Sequence, residues 1–368
     1  MASSTSTPTS TTTSLPSSTT SGASPSCTTA VPGEYGHVPL DACNSYYNFD
    51  PSYAGNLAFA ILFGMTSFAH LVQAILYRKK YCWVLIMGAV WECIAFIMRT
   101  LGAHDQQQMQ YVIWGTLLVL LAPLWINAFA YMTVARLIHF VMPDERVWGI
   151  KSQALTKVFV GLDILTFLIQ AAGGSLMSNN GDPGSANLIS IGQKVYMAGV
   201  GAQGLFIIVF GGLIWTFYTK LHQSMDRPVK RVKMLIWVLF VVLVLIVIRI
   251  IFRLIEFSGG VSASNAIISS ENYSFFLDGL PMLLALVLLN AMHPGIVLRG
   301  PDSEFPKMTG REKKELKRAE KEAKATERLE RKARKAGVHS QEVAEDSNSV
   351  ELLTHPESRW TQHRDDVV

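Results

Sequence analysis

The chain has 368 residues, 49% of them hydrophobic and only 16% charged, with a formal net charge of +4. Soluble domains carry about a quarter charged residues, so this deficit and the positive mean hydropathy point to a membrane class. The small basic excess lies where it sets membrane orientation, and nothing in it suggests a nucleic-acid partner.

The first 30 residues hold 20 Ser or Thr and no apolar run fit for a signal peptide, so the first span is expected to act as the insertion signal. Residues 1–52 read as a disordered Ser/Thr-rich extracellular tail, a composition typical of O-glycosylated stalks. Cys27 and Cys43 lie in this tail and are candidate disulfide partners in an oxidising space, although pairing cannot be deduced from sequence alone.

Seven apolar runs follow, at about 53–76, 81–101, 111–138, 158–177, 194–217, 234–257 and 275–292. Each approaches or exceeds the roughly 20 residues that cross a hydrocarbon core. Runs this continuous predict helices, since barrel strands would alternate. The expected fold is therefore all-α: a polytopic seven-helix bundle over residues 53–295, followed by a cytosolic tail, 296–368.

Lysine and arginine cluster after the first span (Arg78, Lys79, Lys80), the third (Arg146, Lys151, Lys157) and the fifth (Lys220, Arg227, Lys230, Arg231, Lys233). Residues 1–52, 103–110, 178–192 and 258–272 hold none, which predicts the N-terminus outside and the C-terminus in the cytosol. The tail segment Arg311 to Ala336 has 12 basic and 6 acidic residues. It reads as a solvated charged helix or, more sharply, as a contact for anionic lipid of the inner leaflet.

Ionisable side chains inside the spans carry the functional reading, because each one near the bilayer centre costs about 2.5–3.5 kcal/mol and needs a partner. Glu92 and Arg99 share a face of the second span, as Asp163 and Gln170 do on the fourth; Arg249, Arg253 and Glu256 form a stripe on the sixth, and Asp278 enters the seventh just before Pro281. Three arginines are expected to face Glu92, Glu256 and Asp278 in the outer half. This arrangement can be an interhelical ion network, or with it a polar pocket for an amphiphile. Glu92, Arg99, Gln170, Arg249, Arg253, Glu256 and Asp278 are the candidate binding residues, and a cationic head is expected to prefer the carboxylates.

His70, His139 and His293 approach the inner face, but no paired-histidine motif joins them, so no metal site is assigned. No G-x-x-x-x-G-K-[ST] loop occurs, and neither a catalytic residue nor a cofactor is expected.

An ordered set of motifs resembles the fungal lipid-translocating exporters, seven-span RTA-like proteins of the aminocholesterol-resistance type. The pieces are "YGHVP" from Tyr35 with Asn44, Glu92 with Arg99, "LLAPLWINAFAYM", "DILTFLIQAAGGSLM", "GQKVYMAGVGAQ", "IRIIFRLIEFSGG" and "NYSFFLDGLPMLLALVLLNAMHPG". The resemblance implies a multi-pass protein of the plasma membrane or another endomembrane. Its implied partners are membrane lipids and an amphiphilic substrate such as a sphingoid long-chain base, with resistance to toxic lipophilic compounds as the outcome. Porphyrin or haem transport, and a receptor-like sensor of membrane lipid stress, are the alternatives. The orientation is testable first: a C-terminal tag should be inaccessible to antibody on intact cells, and labelling without permeabilisation overturns it.

Overall fold

The computed structural model describes residues 28–40, 42–47, 49–142, 146–177, 185–224, 230–258 and 270–298, and further residues between 311 and 332. Residues through Phe305 form one compact unit and those from Pro306 another. In the second unit the described residues are helical and exposed, with Arg311 and Glu315 paired at 3.5 Å across one turn. Such exposed pairs add only about 0.3–0.5 kcal/mol.

Among its described residues the first unit is helical apart from one small hairpin and connecting segments, and seven of these helices are long and apolar enough to cross a membrane. These are α1 (Tyr53–Tyr77), α2 (Trp83–His104), α3 (Met109–Val141), α4 (Ser152–Met177), α5 (Ser185–Ser224), α6 (Lys230–Ser258) and α7. The last begins at Glu271–Ser274, widens into a π-turn over Phe275–Gly279 and resumes as Leu280–Ala291. Ser52 caps α1 by accepting from the Gly55 N–H at 3.2 Å, which satisfies one of the first-turn donors. Consecutive helices pack side by side, and α7 closes the ring against α6 and α1.

Most helices overrun the apolar runs that mark them. The clearest case is α5, expected over 194–217 but spanning 40 residues, about 60 Å at 1.5 Å per residue. Hydropathy marks only the part that must sit in hydrocarbon, whereas the backbone hydrogen bonds continue through polar ends such as "TKLHQS". Between α3 and α4, β1 (Arg146–Val147) pairs antiparallel with β2 (Ile150–Lys151). Trp148 and Gly149 turn the hairpin with φ of 52° and 76°, values characteristic of a tight primed turn. Trp148 also donates from Nε1 to Thr216 Oγ1 on α5 at 3.2 Å, so this connection is docked.

Before α1, residues expected to be featureless hold specific contacts. The Gln106 N–H donates to the Tyr35 carbonyl at 2.9 Å, Gln107 Nε2 donates to the Gly36 carbonyl at 2.9 Å, and the Tyr35 ring lies 4.5 Å from that of His104. The Asn44 side chain exchanges two hydrogen bonds with the Ala30 backbone. Cys43 is disulfide-bonded, while Cys82 and Cys93 are free thiols; Cys27 lies outside the described residues.

The tightest helix pair is α4 with α5, where small residues let backbones approach. A methyl at Gly173 would lie 2.5 Å from the Tyr196 backbone nitrogen, whereas one at Gly174 would meet nothing within 4 Å. Gly173→Ala should therefore destabilise the protein by about 1–3 kcal/mol, and Gly174→Ala should hold or raise stability by up to about 1 kcal/mol. Thermal unfolding of the two variants in detergent checks this, with equal midpoints counting against the close approach.

Candidate functional site

Arg249 and Arg253 stand one turn apart on α6 and converge on Asp278. Arg249 Nε forms an ion pair with Asp278 Oδ1 at 2.5 Å, and Arg253 Nη2 pairs with Asp278 Oδ2. Arg253 Nη1 also donates to Glu256 Oε2 at 2.8 Å, and Arg249 Nη2 to the Val119 carbonyl on α3 at 2.8 Å. All three clamp residues are buried, Asp278 to 2% exposure. Ion pairs as dry as these hold only because the geometry is tight and further hydrogen bonds satisfy the groups.

The local sequence explains where Asp278 points. Pro281 has no N–H, so the Leu277 carbonyl loses its ordinary helical partner. The chain widens by one residue there, and the Leu280 N–H donates instead to the Phe275 carbonyl. Such π-turns re-aim the side chains they contain and are frequent at functional sites. Gly279 leaves room beside this turn: a methyl on it would lie 3.0 Å from the Phe96 ring.

A cleft of about 210 Å³ opens above the clamp. Tyr46, Tyr47 and Phe49 from the segment before α1 border it, with Arg99, Tyr111, Thr116, Arg253, Glu256 and Glu271 from the helices. Complete small-molecule sites enclose about 300–1,000 Å³, so this cleft suits a head group more than a whole lipid. On the other side of Arg253 lies a void of about 10 Å³ bordered by Gln170, Tyr196, Gln203 and Arg249, room for little more than water.

The candidate residues thus divide. Arg99, Arg253 and Glu256 border the cleft; Arg249 and Gln170 border the small void, where Gln170 Nε2 donates to Gln203 Oε1 at 3.0 Å. Asp278 is held behind the clamp, and Glu92 lines neither space. Two expected pairings do not form. Arg99 Nη1 donates to Ser274 Oγ at 3.3 Å and its guanidinium lies 5.6 Å from the Phe96 ring centroid, with no carboxylate in ion-pair range among the described residues. Glu92, 1% exposed, has no hydrogen-bond partner on either oxygen among the described residues. Spacing along α2 places both on one face but does not say which neighbour meets it. The arginines of α6 reach Asp278 instead.

Spacing singles out neither Glu271 nor Tyr47, and it does not join Asp163 to its partners. Glu271, placed in an outer loop, accepts from the Ser52 N–H at 2.6 Å and from Asn56 Nδ2 at 2.7 Å, latching the start of α7 to that of α1. Asn56 near the N-terminal end of an apolar run is the available signal. Asp163 accepts from Tyr131 Oη at 2.9 Å and Asn127 Nδ2 at 3.1 Å; those two donors, four apart on α3, are the pattern that marks a shared target. Tyr47 lies in the cleft with its hydroxyl buried and unpartnered among the described residues. Burial pushes that phenol up to about 12, against the opposing pull of Arg99, so it remains a neutral donor at physiological pH.

At the other end of the bundle the histidines are engaged singly. His70 Nε2 meets the Leu286 carbonyl at 3.2 Å, and His293 lies 3.5 Å from Cys82 Sγ while its Nδ1 accepts from the Gly295 N–H.

The RTA1-like protein family matches residues 85–301, more than half of the chain and all of α3 to α7. The chain belongs to the RTA1-like family. It is 40% identical to the "Probable lipid transporter atnI" of Emericella nidulans over 79% of this chain and 78% of that one. It is 30% identical to "Protoporphyrin uptake protein 1" of Saccharomyces cerevisiae over 54% of this chain and 64% of that one. With the "Sphingoid long-chain base transporter RSB1" of the same yeast it shares 23% identity over 72% of this chain and 77% of that one. No solved structure matches the chain. The match to the RTA1-like family takes in Arg99, the α6 stripe and the Asp278 turn, so the clamp and most of the cleft fall within it.

Asp278→Asn leaves two buried guanidiniums facing an amide. Breaking a buried pair costs about 3–5 kcal/mol, so this variant should accumulate far less folded protein than Glu256→Gln, whose side chain is 18% exposed. Equal folded yields by size-exclusion chromatography count against the clamp as a determinant of stability.

Proposed function

We propose that this RTA1-like protein is a plasma-membrane transporter of amphiphilic lipids, sphingoid long-chain bases among them, carrying them toward the outer face and so conferring tolerance of toxic lipophilic compounds. The observation that supports it best is the head-group-sized cleft, bordered by Arg99, Arg253 and Glu256, in the interior of a bundle whose outer surface is apolar. Charge in hydrocarbon is retained where function needs it, and a polar recess beside apolar helix faces suits a molecule that is polar at one end only. Relatives named as a lipid transporter and a sphingoid long-chain base transporter support the same reading.

The proposed orientation places the N-terminus and the cleft outside, as the basic loops indicate. The cytosolic tail then brings its basic helix close to anionic lipid of the inner leaflet. With no phosphate-binding loop in the sequence, this reading gives ATP no direct part in the movement.

Flux of a fluorescent long-chain base in liposomes holding the purified full-length protein tests this. Transfer between leaflets should exceed that in protein-free vesicles without added ATP, and Arg311→Gln in the tail should leave it unchanged. No protein-dependent transfer overturns the transport reading in favour of a sensor.

A further inference from the structure

The ions around the cleft do not balance as the sequence implied. Glu256 is paired with Arg253, both oxygens of Glu271 accept hydrogen bonds, and Asp278 is taken by two arginines. Of the two carboxylates bordering the cleft, Glu256 is ion-paired, and Glu271, with no ion pair among the described residues, already holds two neutral donors that fix it toward α1. Arg99 is the exception on the other side. Its guanidinium has five N–H donors, of which one reaches a neutral hydroxyl on Ser274, and no carboxylate of the described residues lies within ion-pair distance.

Packing aims this side chain. Its stem lies on Gly115 of α3, where a methyl would come within 3.0 Å of Arg99 Cγ, and the Phe96 ring supports the guanidinium from below. A fixed guanidinium is pre-organised for a planar or tetrahedral anion and binds it by paired, charge-assisted hydrogen bonds. Tyr47 borders the same cleft; its hydroxyl is buried against Gly102 of α2 with no partner among the described residues, and so keeps a donor to offer.

We propose that the cleft is an anion-head subsite in which Arg99 and Tyr47 hold a phosphate or carboxylate group of the amphiphile, so that an anion-headed lipid is preferred to an amine-headed one of the same tail. This rests on the transport reading for the source of the ligand. The volume admits the head alone, and the tail lies along the apolar helix faces beyond it.

The test is competition binding to the full-length protein in detergent, with sphinganine 1-phosphate, sphinganine and inorganic phosphate as probes. Sphinganine 1-phosphate should bind about tenfold or more tightly than sphinganine, in line with charge-assisted hydrogen bonds. Arg99→Gln should abolish that preference and Arg99→Lys should keep part of it. Tyr47→Phe sacrifices no hydrogen bond of the structure and should weaken the phosphate probe by about threefold. If Arg99→Gln fails to fold, Gly115→Ala displaces the same side chain and should reduce the preference.

Tighter binding of sphinganine overturns the proposal. So does undiminished phosphate-lipid binding by folded Arg99→Gln, or by Tyr47→Phe and Gly115→Ala together. Inorganic phosphate at millimolar concentration should not compete; competition equal to that of the lipid reduces the site to a simple anion site and overturns it as well. Flux without head-group preference ends this inference and leaves transport standing, whereas preference without flux ends transport and leaves the subsite.

Discussion

A bilayer core offers no water to buried ions, so charges inside the helices must be neutralised by one another. Here that requirement is met at Asp278, whose two oxygens take one arginine each from successive turns of α6. The clamp fixes the register of α6 against α7, and the bond from Arg249 to the Val119 carbonyl extends it to α3. Its consequence for the cleft is indirect: by consuming the arginines of α6, it leaves Arg99 to face an open space.

The seven spans and the all-helical class were legible because apolar runs of more than about 20 residues have few other destinations. The stripe Arg249, Arg253, Glu256 and its attraction to Asp278 were also legible, since a helical face can be computed from spacing. What spacing could not provide was the rotation of each helix about its own axis. For that reason Glu92 and Arg99 do not meet the expected partners, and nothing in the spacing joins Asp163 to Asn127. Glu271 escaped because an outer boundary drawn from hydropathy stops short of the helix. The contacts of Tyr47 were invisible in a segment whose composition argues against order.

An aromatic layer underlies the charged one. Phe59 stacks between Phe96 and Phe275 with centroids at 5.1 and 5.2 Å, and Phe63 lies 5.3 Å from Phe96. Offset stacks of this kind add about 0.5–1.5 kcal/mol per pair beyond the area they bury. Phe96 therefore belongs to both layers: it is a plank of the dry floor and the support of the Arg99 guanidinium. Packing and polarity are joined at this ring, and a rotation of α2 would disturb both together.

The π-turn has a consequence for how such chains diverge. It holds one residue more than an α-helical turn, and each residue of a helix advances the azimuth by about 100°. Loss of a single residue from Phe275–Gly279 would barely alter the length or greasiness of the last span. Yet everything beyond would swing by that angle, carrying Asn290 away from Gln73, which donates to its carbonyl at 2.9 Å, and the Leu286 carbonyl away from His70. Two homologues with indistinguishable hydropathy plots can thus be mechanically different molecules, and the gap that separates them is one codon wide.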